Sequence, residues 1–293
     1  MKKWCLLLLS VLLLGLFGCA RQDDTPPILA TTKPVYDFTA ALCRGSELEV
    51  GLLIDENISC LHDYSLSTTQ MRSIESARVL VISGAGLEAF PMDVLTRSGC
   101  IIDASVNVPL LGCGEEHDHG HEDHGHSHEQ DPHIWLSPEN ARIMAENICK
   151  GLESIYPAYA DIFQANLEEL LLKLDDLQQY GEDLLENLSC RELITFHDGF
   201  AYLAHAFDLH ILAAVEEESG SEASAKELIG LIEEIKHHDL PAIFNETNGS
   251  PSASGIIATE TGVGVYTLDM AMGQGDYFEN MYRNINTLKE ALE

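Results

Sequence analysis

Basic side chains are scarce in this sequence. Lysine and arginine together number 16, against 48 aspartates and glutamates, which gives a formal net charge of −32 at pH 7. Such an acidic surface repels phosphate backbones and anionic lipid headgroups, so we expect no nucleic-acid partner and no membrane attachment driven by charge. The same surface keeps the protein soluble and concentrates cations near it.

Several local motifs are also missing. The chain contains no Cys-x-x-Cys pair, which argues against a thiolate zinc site and a thioredoxin-like redox role. It contains no His-Glu-x-x-His, the helical motif of many zinc proteases. No repeat of fixed period is present, although the two halves of the chain resemble each other in coarse plan.

The apolar run near the start is too short to cross a bilayer. It extends from Leu6 to Phe17, about twelve residues, whereas a hydrocarbon core needs roughly 20. Lys2 and Lys3 precede it, which is typical of a cleaved signal peptide over residues 1–18. Cleavage would remove both lysines and no acid, so the net charge of the mature chain becomes −34.

The residues at the expected cleavage site are Leu16-Phe17-Gly18-Cys19. This run resembles the bacterial lipobox, whose cysteine is acylated after cleavage. The resemblance implies that acylated Cys19 anchors the protein in a lipid membrane, since two or more acyl chains are needed for stable attachment. We therefore expect an extracytoplasmic lipoprotein, at the bacterial cell surface or in the periplasm.

Besides Cys19, six cysteines remain in the mature chain. An even number in an exported protein predicts disulfides, although six cysteines allow fifteen pairings and the sequence does not choose among them. We take pairing between neighbours as the working expectation, namely Cys43 with Cys60, Cys100 with Cys113, and Cys149 with Cys190.

Short apolar runs alternate with amphipathic stretches, a pattern that predicts parallel α/β sheets. Eight runs are strand candidates, four in each half of the chain: Ile28 to Thr32, Leu48 to Ile54, Val79 to Ser83, Ile101 to Ala104, Glu192 to Thr195, Ile211 to Val215, Ala242 to Asn245 and Gly264 to Leu268. Between the two groups, Tyr159 to Leu188 has no proline and carries leucines at helical spacing, which predicts one long helix.

The fold class is therefore α/β, with two lobes joined by one long rigid helix. Each lobe is expected to contain a mostly parallel four-stranded sheet flanked by helices. We place the N-terminal lobe at residues 19–157, with a mobile histidine-rich loop at 115–129. The linking helix then covers residues 158–188 and the C-terminal lobe residues 189–293.

The histidine-rich loop has a composition that cannot form a core, because residues 117–128 contain no apolar side chain. Imidazoles and carboxylates at close spacing on a flexible chain chelate Zn²⁺, Ni²⁺ or Cu²⁺ weakly and promiscuously. We predict metal capture by His117, His119, His121, His124, His126 and His128. The tract alone does not distinguish an enzyme from a carrier.

Four isolated side chains follow or flank strand candidates. They are His62, His133, His197 and Asp269. In open α/β sheets, ligands bind beyond the carboxyl ends of the strands, so these residues could face one cleft. Three neutral imidazoles and one carboxylate suit tetrahedral Zn²⁺, although a lone histidine more often has a structural role. We assign that structural role to His205, His210, His237 and His238.

Four segments around those residues resemble the ligand motifs of the zinc and manganese solute-binding proteins of ABC importers. They are Cys60-Leu61-His62-Asp63-Tyr64-Ser65, Asp131-Pro132-His133-Ile134-Trp135-Leu136, Thr195-Phe196-His197-Asp198 and Tyr266-Thr267-Leu268-Asp269. The similarity covers essentially the whole mature chain, including a histidine-rich loop before the second motif. It departs after Asp63, where many relatives have glutamate and proline following the tyrosine.

The resemblance implies a metal ion in the cleft between the lobes, with His62 and His133 from the first lobe and His197 and Asp269 from the second. Manganese receptors carry glutamate at the third position, so His197 favours zinc, with manganese as the alternative cargo. Glu246 is a possible outer-sphere partner or substitute acid. The implied protein is a monomeric, non-enzymatic receptor that delivers Zn²⁺ to an ABC permease and its ATPase.

Two other functional classes remain open from the residues. A zinc hydrolase is one, because three histidines with an open position can activate water. A metal-buffering or adhesive surface lipoprotein without a transporter is the other.

Overall fold

The computed structural model describes residues 26–112, 130–215 and 224–293, apart from positions 57, 59, 60, 62, 63, 89 and 91. The predicted signal peptide, Cys19, His62 and the histidine-rich loop lie outside the described residues. Of the helices that are described, none combines the length and apolar character needed to cross a bilayer.

The first sheet has four parallel strands in the order β2-β1-β3-β4. The strands are β1 Ile28–Ala30, β2 Val50–Leu52, β3 Val79–Ile82 and β4 Cys100–Asp103. The central strands β1 and β3 are almost entirely buried, as expected for a parallel sheet covered on both faces.

The second sheet repeats this plan with the order β6-β5-β7-β8, and all its pairings are parallel. Its strands are β5 Glu192–Thr195, β6 His210–Ala214, β7 Ala242–Glu246 and β8 Gly264–Leu268. All eight predicted strands are therefore present, within a few residues at each end. The α/β fold class with two four-stranded sheets is confirmed.

Helices connect the strands and separate the sheets. In chain order they are α1 Lys33–Cys43, α2 Thr68–Ser76, α3 Met92–Leu95, α4 Pro138–Ile155, α5 Ala160–Leu185, α6 Ala201–Ala206, α7 Ala225–His238, α8 Ser252–Thr261 and α9 Tyr277–Leu292. Ser137 caps α4 through its side chain, which accepts the backbone N–H of Asn140, and Pro138 follows at the first helical position.

The predicted long helix is α5, with 26 residues. Its buried side chains recur every three or four positions and include Phe163, Leu167, Leu170, Leu174 and Leu177. It packs against α4 and α1 of the first half and against α9 at the end of the chain. The helix thus connects the two sheets as predicted, while the lobe boundaries proposed from the sequence remain a prediction.

The first residue of the last helix, α9, connects the two halves of the chain. The hydroxyl of Tyr277 donates to the backbone oxygen of Trp135 at 2.8 Å, and its backbone N–H donates to Asp37 at 3.0 Å. Its ring also lies edge-on to Phe38, with 4.8 Å between the ring centroids. Because Tyr277 is fully buried, these contacts fix the second half of the chain against the first.

The predicted disulfide between Cys149 and Cys190 is wrong, because both carry free thiols. The sulfur of Cys149 lies 3.8 Å from the side-chain nitrogen of Gln164, near the start of α5, whereas Cys190 follows the far end of that helix. About twenty helical residues separate these ends by roughly 30 Å, and a disulfide requires Cα atoms within about 7 Å.

The other two predicted pairings fail as well, since Cys43 and Cys100 are also free thiols. Their expected partners, Cys60 and Cys113, lie outside the described residues. Cys43 is buried in the core of the first half, where it packs as a small apolar side chain.

Two glycines within helices should respond oppositely to alanine. A Cβ at Gly181 would overlap the ring of buried Phe207, whereas a Cβ at Gly230 would meet nothing within 4 Å. We expect Gly181→Ala to lower the free energy of unfolding by about 1–3 kcal/mol through overpacking. Gly230→Ala should raise it by up to about 1 kcal/mol through helix propensity. Urea unfolding followed by circular dichroism measures both, and a stabilising Gly181→Ala would contradict the packing described for α5.

Candidate metal centre

The carboxyl ends of the second sheet carry three of the polar side chains of interest. His197 lies two residues beyond β5, Glu246 is the last residue of β7, and Asp269 directly follows β8. Because the strands are parallel, these positions share one edge of the sheet, which is where open α/β sheets bind ligands.

His133 reaches that edge from the first half of the chain. It precedes a short 3-10 turn, Ile134–Leu136, that leads into α4, and it is fully buried. Its ring nitrogen Nδ1 lies 2.8 Å from Oδ1 of Asp131, which also accepts the backbone N–H of His133 at 2.9 Å. Because a carboxylate only accepts, Nδ1 carries the proton, and in a neutral ring Nε2 is then the basic nitrogen. This is the arrangement that usually supports a metal-binding histidine.

His197 is held by its own turn and by Glu246. The hydroxyl of Thr195 donates to the backbone oxygen of His197 at 3.0 Å. Oε2 of Glu246, on a side chain that is only 6% exposed, lies 3.5 Å from Nδ1 of His197. The carboxylate therefore faces the Nδ1 side of the His197 ring.

The two imidazoles meet across the halves of the molecule. Their ring centroids are 5.4 Å apart, with 79° between the ring planes. Both Nε2 atoms are buried. Trp135 also packs edge-on against the His133 ring, with 5.4 Å between centroids. Two basic ring nitrogens thus occupy one buried region that is lined by acidic side chains.

Asp269 is at the same sheet edge but is committed to local hydrogen bonds. Oδ1 accepts the backbone N–H of Ala271 at 2.7 Å, and Oδ2 accepts the hydroxyl of Thr247 at 3.0 Å. Asn284 fixes its backbone with two more hydrogen bonds. Across the described ranges, no three histidine, cysteine, aspartate or glutamate side chains form a group that could hold a metal ion.

The structure therefore brings His133 and His197 together, with Glu246 beside them, and places Asp269 on the adjoining loop. His62 and the six loop histidines lie outside the described residues. The metal-binding roles of all these residues remain predictions.

The remaining histidines lie elsewhere. His238, at the end of α7, lies between Glu192 and Glu234, with nitrogen–oxygen distances of 2.9 and 3.4 Å. Glu192 begins β5, so this cluster is at the amino end of the second sheet, opposite the cleft. His210 begins β6.

Thiolate chemistry has little part in the buried core. Burial raises the pKa of the Cys43 thiol and that of the Cys149 thiol to about 12 in each case. Since the thiolate is the form that binds metals and attacks electrophiles, both side chains are inert near neutral pH.

Three residues that contribute to the site were not predicted from the sequence. Asp131 stands within a quoted motif, and its spacing of two residues from His133 is the one local signal that could have been used. Tyr202 and Gly199 contribute through tertiary contacts alone. The hydroxyl of Tyr202 donates to the backbone oxygen of Asp131 at 3.1 Å, and a Cβ at Gly199 would lie 2.7 Å from Cδ2 of His197.

Two similar parallel sheets, joined by a long helix and with His133 and His197 in contact between them, define a two-lobed α/β protein. Residues 28–291 match the family model described as zinc-uptake complex component A, periplasmic. The chain belongs to this family.

Known proteins agree with that assignment. The zinc-binding protein AdcA of Streptococcus pyogenes serotype M3 is 30% identical over 321 residues, covering 99% of this chain and 61% of its own. The zinc-binding lipoprotein AdcA of Streptococcus pneumoniae R6 is 31% identical, covering 100% and 62% respectively. The chain thus spans about three fifths of the length of these relatives.

Solved structures show the same fold. A crystal structure of ZnuA superposes with a TM-score of 0.80 at 29% identity, covering 92% of this chain and 100% of that one. The zinc(II)-bound ZnuA-like domain of AdcA from Streptococcus pneumoniae superposes with a TM-score of 0.77 at 26% identity, covering 92% and 99%.

Gly199 offers a test of the geometry around His197. A Cβ there would lie 2.7 Å from Cδ2 and 2.9 Å from Nε2 of His197, and 2.7 Å from Cε of Met270. We expect Gly199→Ala to displace the imidazole and weaken divalent-metal binding at least about tenfold, since small misplacements of a ligand are costly. Gly255→Ala, which meets nothing within 4 Å, is the matched control. Competition with a chromophoric chelator measures both, and equal affinities would contradict the described placement of His197.

Proposed function

We propose that this chain is a high-affinity extracytoplasmic zinc receptor that delivers Zn²⁺ to an ABC import permease and its cytoplasmic ATPase. The observation that carries the proposal is the approach of His133 and His197, whose ring centroids lie 5.4 Å apart where the two halves of the chain meet. Membership in the zinc-uptake family and the zinc named in its relatives support the same cargo.

The proposed ligands are His62 and His133 from the first lobe and His197 and Asp269 from the second. Imidazole nitrogen is a softer donor than oxygen, so a histidine-rich set favours zinc over manganese. Asp131 and Glu246 would orient two of the imidazoles through Nδ1 and raise their basicity, as carboxylates commonly do behind metal-bound histidines. Asp269 would have to exchange at least one of its present hydrogen bonds for the metal.

The loop histidines have a separate proposed role. They would intercept metal near the membrane and raise its concentration at the cleft, where the acidic surface already favours cations. Acylated Cys19 would keep the receptor, a monomer in this proposal, close to its permease. The relatives named lipoprotein and the periplasmic family description support an extracytoplasmic setting.

The decisive experiment is zinc calorimetry on the chain with and without residues 115–129. Zinc binding requires neutral imidazoles, so affinity at the cleft should be full near about pH 7.5 and fall steeply through about pH 6.5 as the rings are protonated. Deleting the loop should lower the number of zinc ions bound while sparing the tightest site. Loss of the tightest site on deletion, or equal affinity at about pH 5.5, would contradict the proposed ligands.

A pair of histidine variants locates that tightest site. His197→Ala should weaken it by at least about a hundredfold, because a ligand is worth more than the supporting groups that cost 10–100-fold. His205→Ala is the matched control, since His205 is an exposed histidine on α6 of the same lobe. If both variants bound zinc like the parent chain, the cleft would not be the high-affinity site.

A further inference from the structure

Two backbone segments of the first lobe form hydrogen bonds to one side chain of the second lobe. The backbone N–H of Leu111 donates to the hydroxyl of Tyr202 at 2.9 Å, and that hydroxyl donates to the backbone oxygen of Asp131 at 3.1 Å. Tyr202 is on α6 and is only 2% exposed. Its hydroxyl is thus shielded from water and used as both acceptor and donor.

The backbone held by Tyr202 leads directly to the candidate metal ligand. Asp131 is 4% exposed, and its carboxylate fixes the ring of His133 through Nδ1 at 2.8 Å. Leu111 and Asp131 are themselves joined, since the N–H of Asp131 donates to the oxygen of Leu111 at 3.3 Å, and Gly112 and Gln130 form a β-bridge beside them. A displacement of either segment at Tyr202 would therefore move the His133 imidazole.

The same short stretch of the second lobe also supplies the opposing ligand. His197 stands five residues before Tyr202, and the turn between them is fixed at one end by Thr195 and at the other by the start of α6. Residues 195–202 thus carry one imidazole and clamp the backbone that carries the other.

We propose that Tyr202 is a positioning residue for zinc, which sets the separation of His133 and His197 by hydrogen-bonding the first-lobe backbone from the second lobe. This rests on the proposed zinc-receptor function. Tyr202 does not touch the metal. It acts through Asp131, which holds His133 in the orientation that binding needs, so less free energy is lost in ordering the site when the ion arrives.

The test begins with Tyr202→Phe in the full chain. The variant keeps the ring and removes the hydroxyl, leaving the half-buried N–H of Leu111 and the buried carbonyl of Asp131 without that partner. We expect zinc affinity, measured by competition with a chromophoric chelator, to fall about tenfold. We also expect the visible spectrum of bound cobalt(II) to change, because it reports ligand geometry. Tyr180→Phe is the matched control, since it removes a hydroxyl that bonds Asn286 at 2.8 Å on the long helix, and its affinity should stay within about twofold of the parent.

A double-mutant cycle separates positioning from general stability. If Tyr202 acts through Asp131, Tyr202→Phe should cost much less affinity in an Asp131→Ala background than in the parent chain. Unchanged affinity and cobalt spectrum in Tyr202→Phe, with only a lower melting temperature, would overturn the proposal. So would costs that simply add in the double variant. A parent chain that bound no zinc tightly would instead overturn the receptor function itself.

Discussion

The docking of one short segment, residues 131–135, onto the second lobe is the constraint on which the candidate site depends. Tyr202 holds its start, and Trp135 holds its end by donating Nε1–H to the backbone oxygen of Met270 at 2.8 Å. Tyr277 donates to the backbone oxygen of Trp135 as well. These groups are buried, so water does not compete for the hydrogen bonds, and His133 is carried to the edge of the second sheet.

The rest of the fold explains how such docking is possible. The two sheets have the same strand order, and α5 packs against helices from both halves of the chain. Within the first lobe, buried Glu88 joins β1 to the loop after β3 by accepting hydrogen bonds from Thr31, Ser83 and Gly84. Burial raises the pKa of that carboxyl, while the three donors act in the opposite direction.

Much of the fold was predictable because its signals are local. Buried parallel strands such as β1 and β3 are short apolar runs, and α5 shows its leucine spacing over 26 residues. The cysteines were mispredicted because pairing is a tertiary property. Cys149 faces the core on α4, and Cys190 follows the distant end of α5, a separation that neighbouring positions in the sequence do not reveal.

The candidate site likewise contains residues that the sequence indicated and residues that it did not. His133, His197 and Asp269 were recognisable because they follow or flank strands in a family pattern. The contribution of Asp131 was missed although its spacing of two residues from His133 is a local signal. That of Tyr202 was not predictable, since a hydrogen bond between lobes leaves no trace in spacing or composition. The commitment of both Asp269 oxygens to Ala271 and Thr247 was equally invisible, because it depends on the backbone path of two separate loops.

Anomalous diffraction at the zinc absorption edge, from crystals of the complex with one zinc ion per chain, tests the central claim most directly. The account predicts a single strong peak between the lobes, about 2.0–2.1 Å from Nε2 of both His133 and His197. A peak elsewhere, for example beside His238 and Glu192, with both cleft imidazoles uncoordinated, would contradict it.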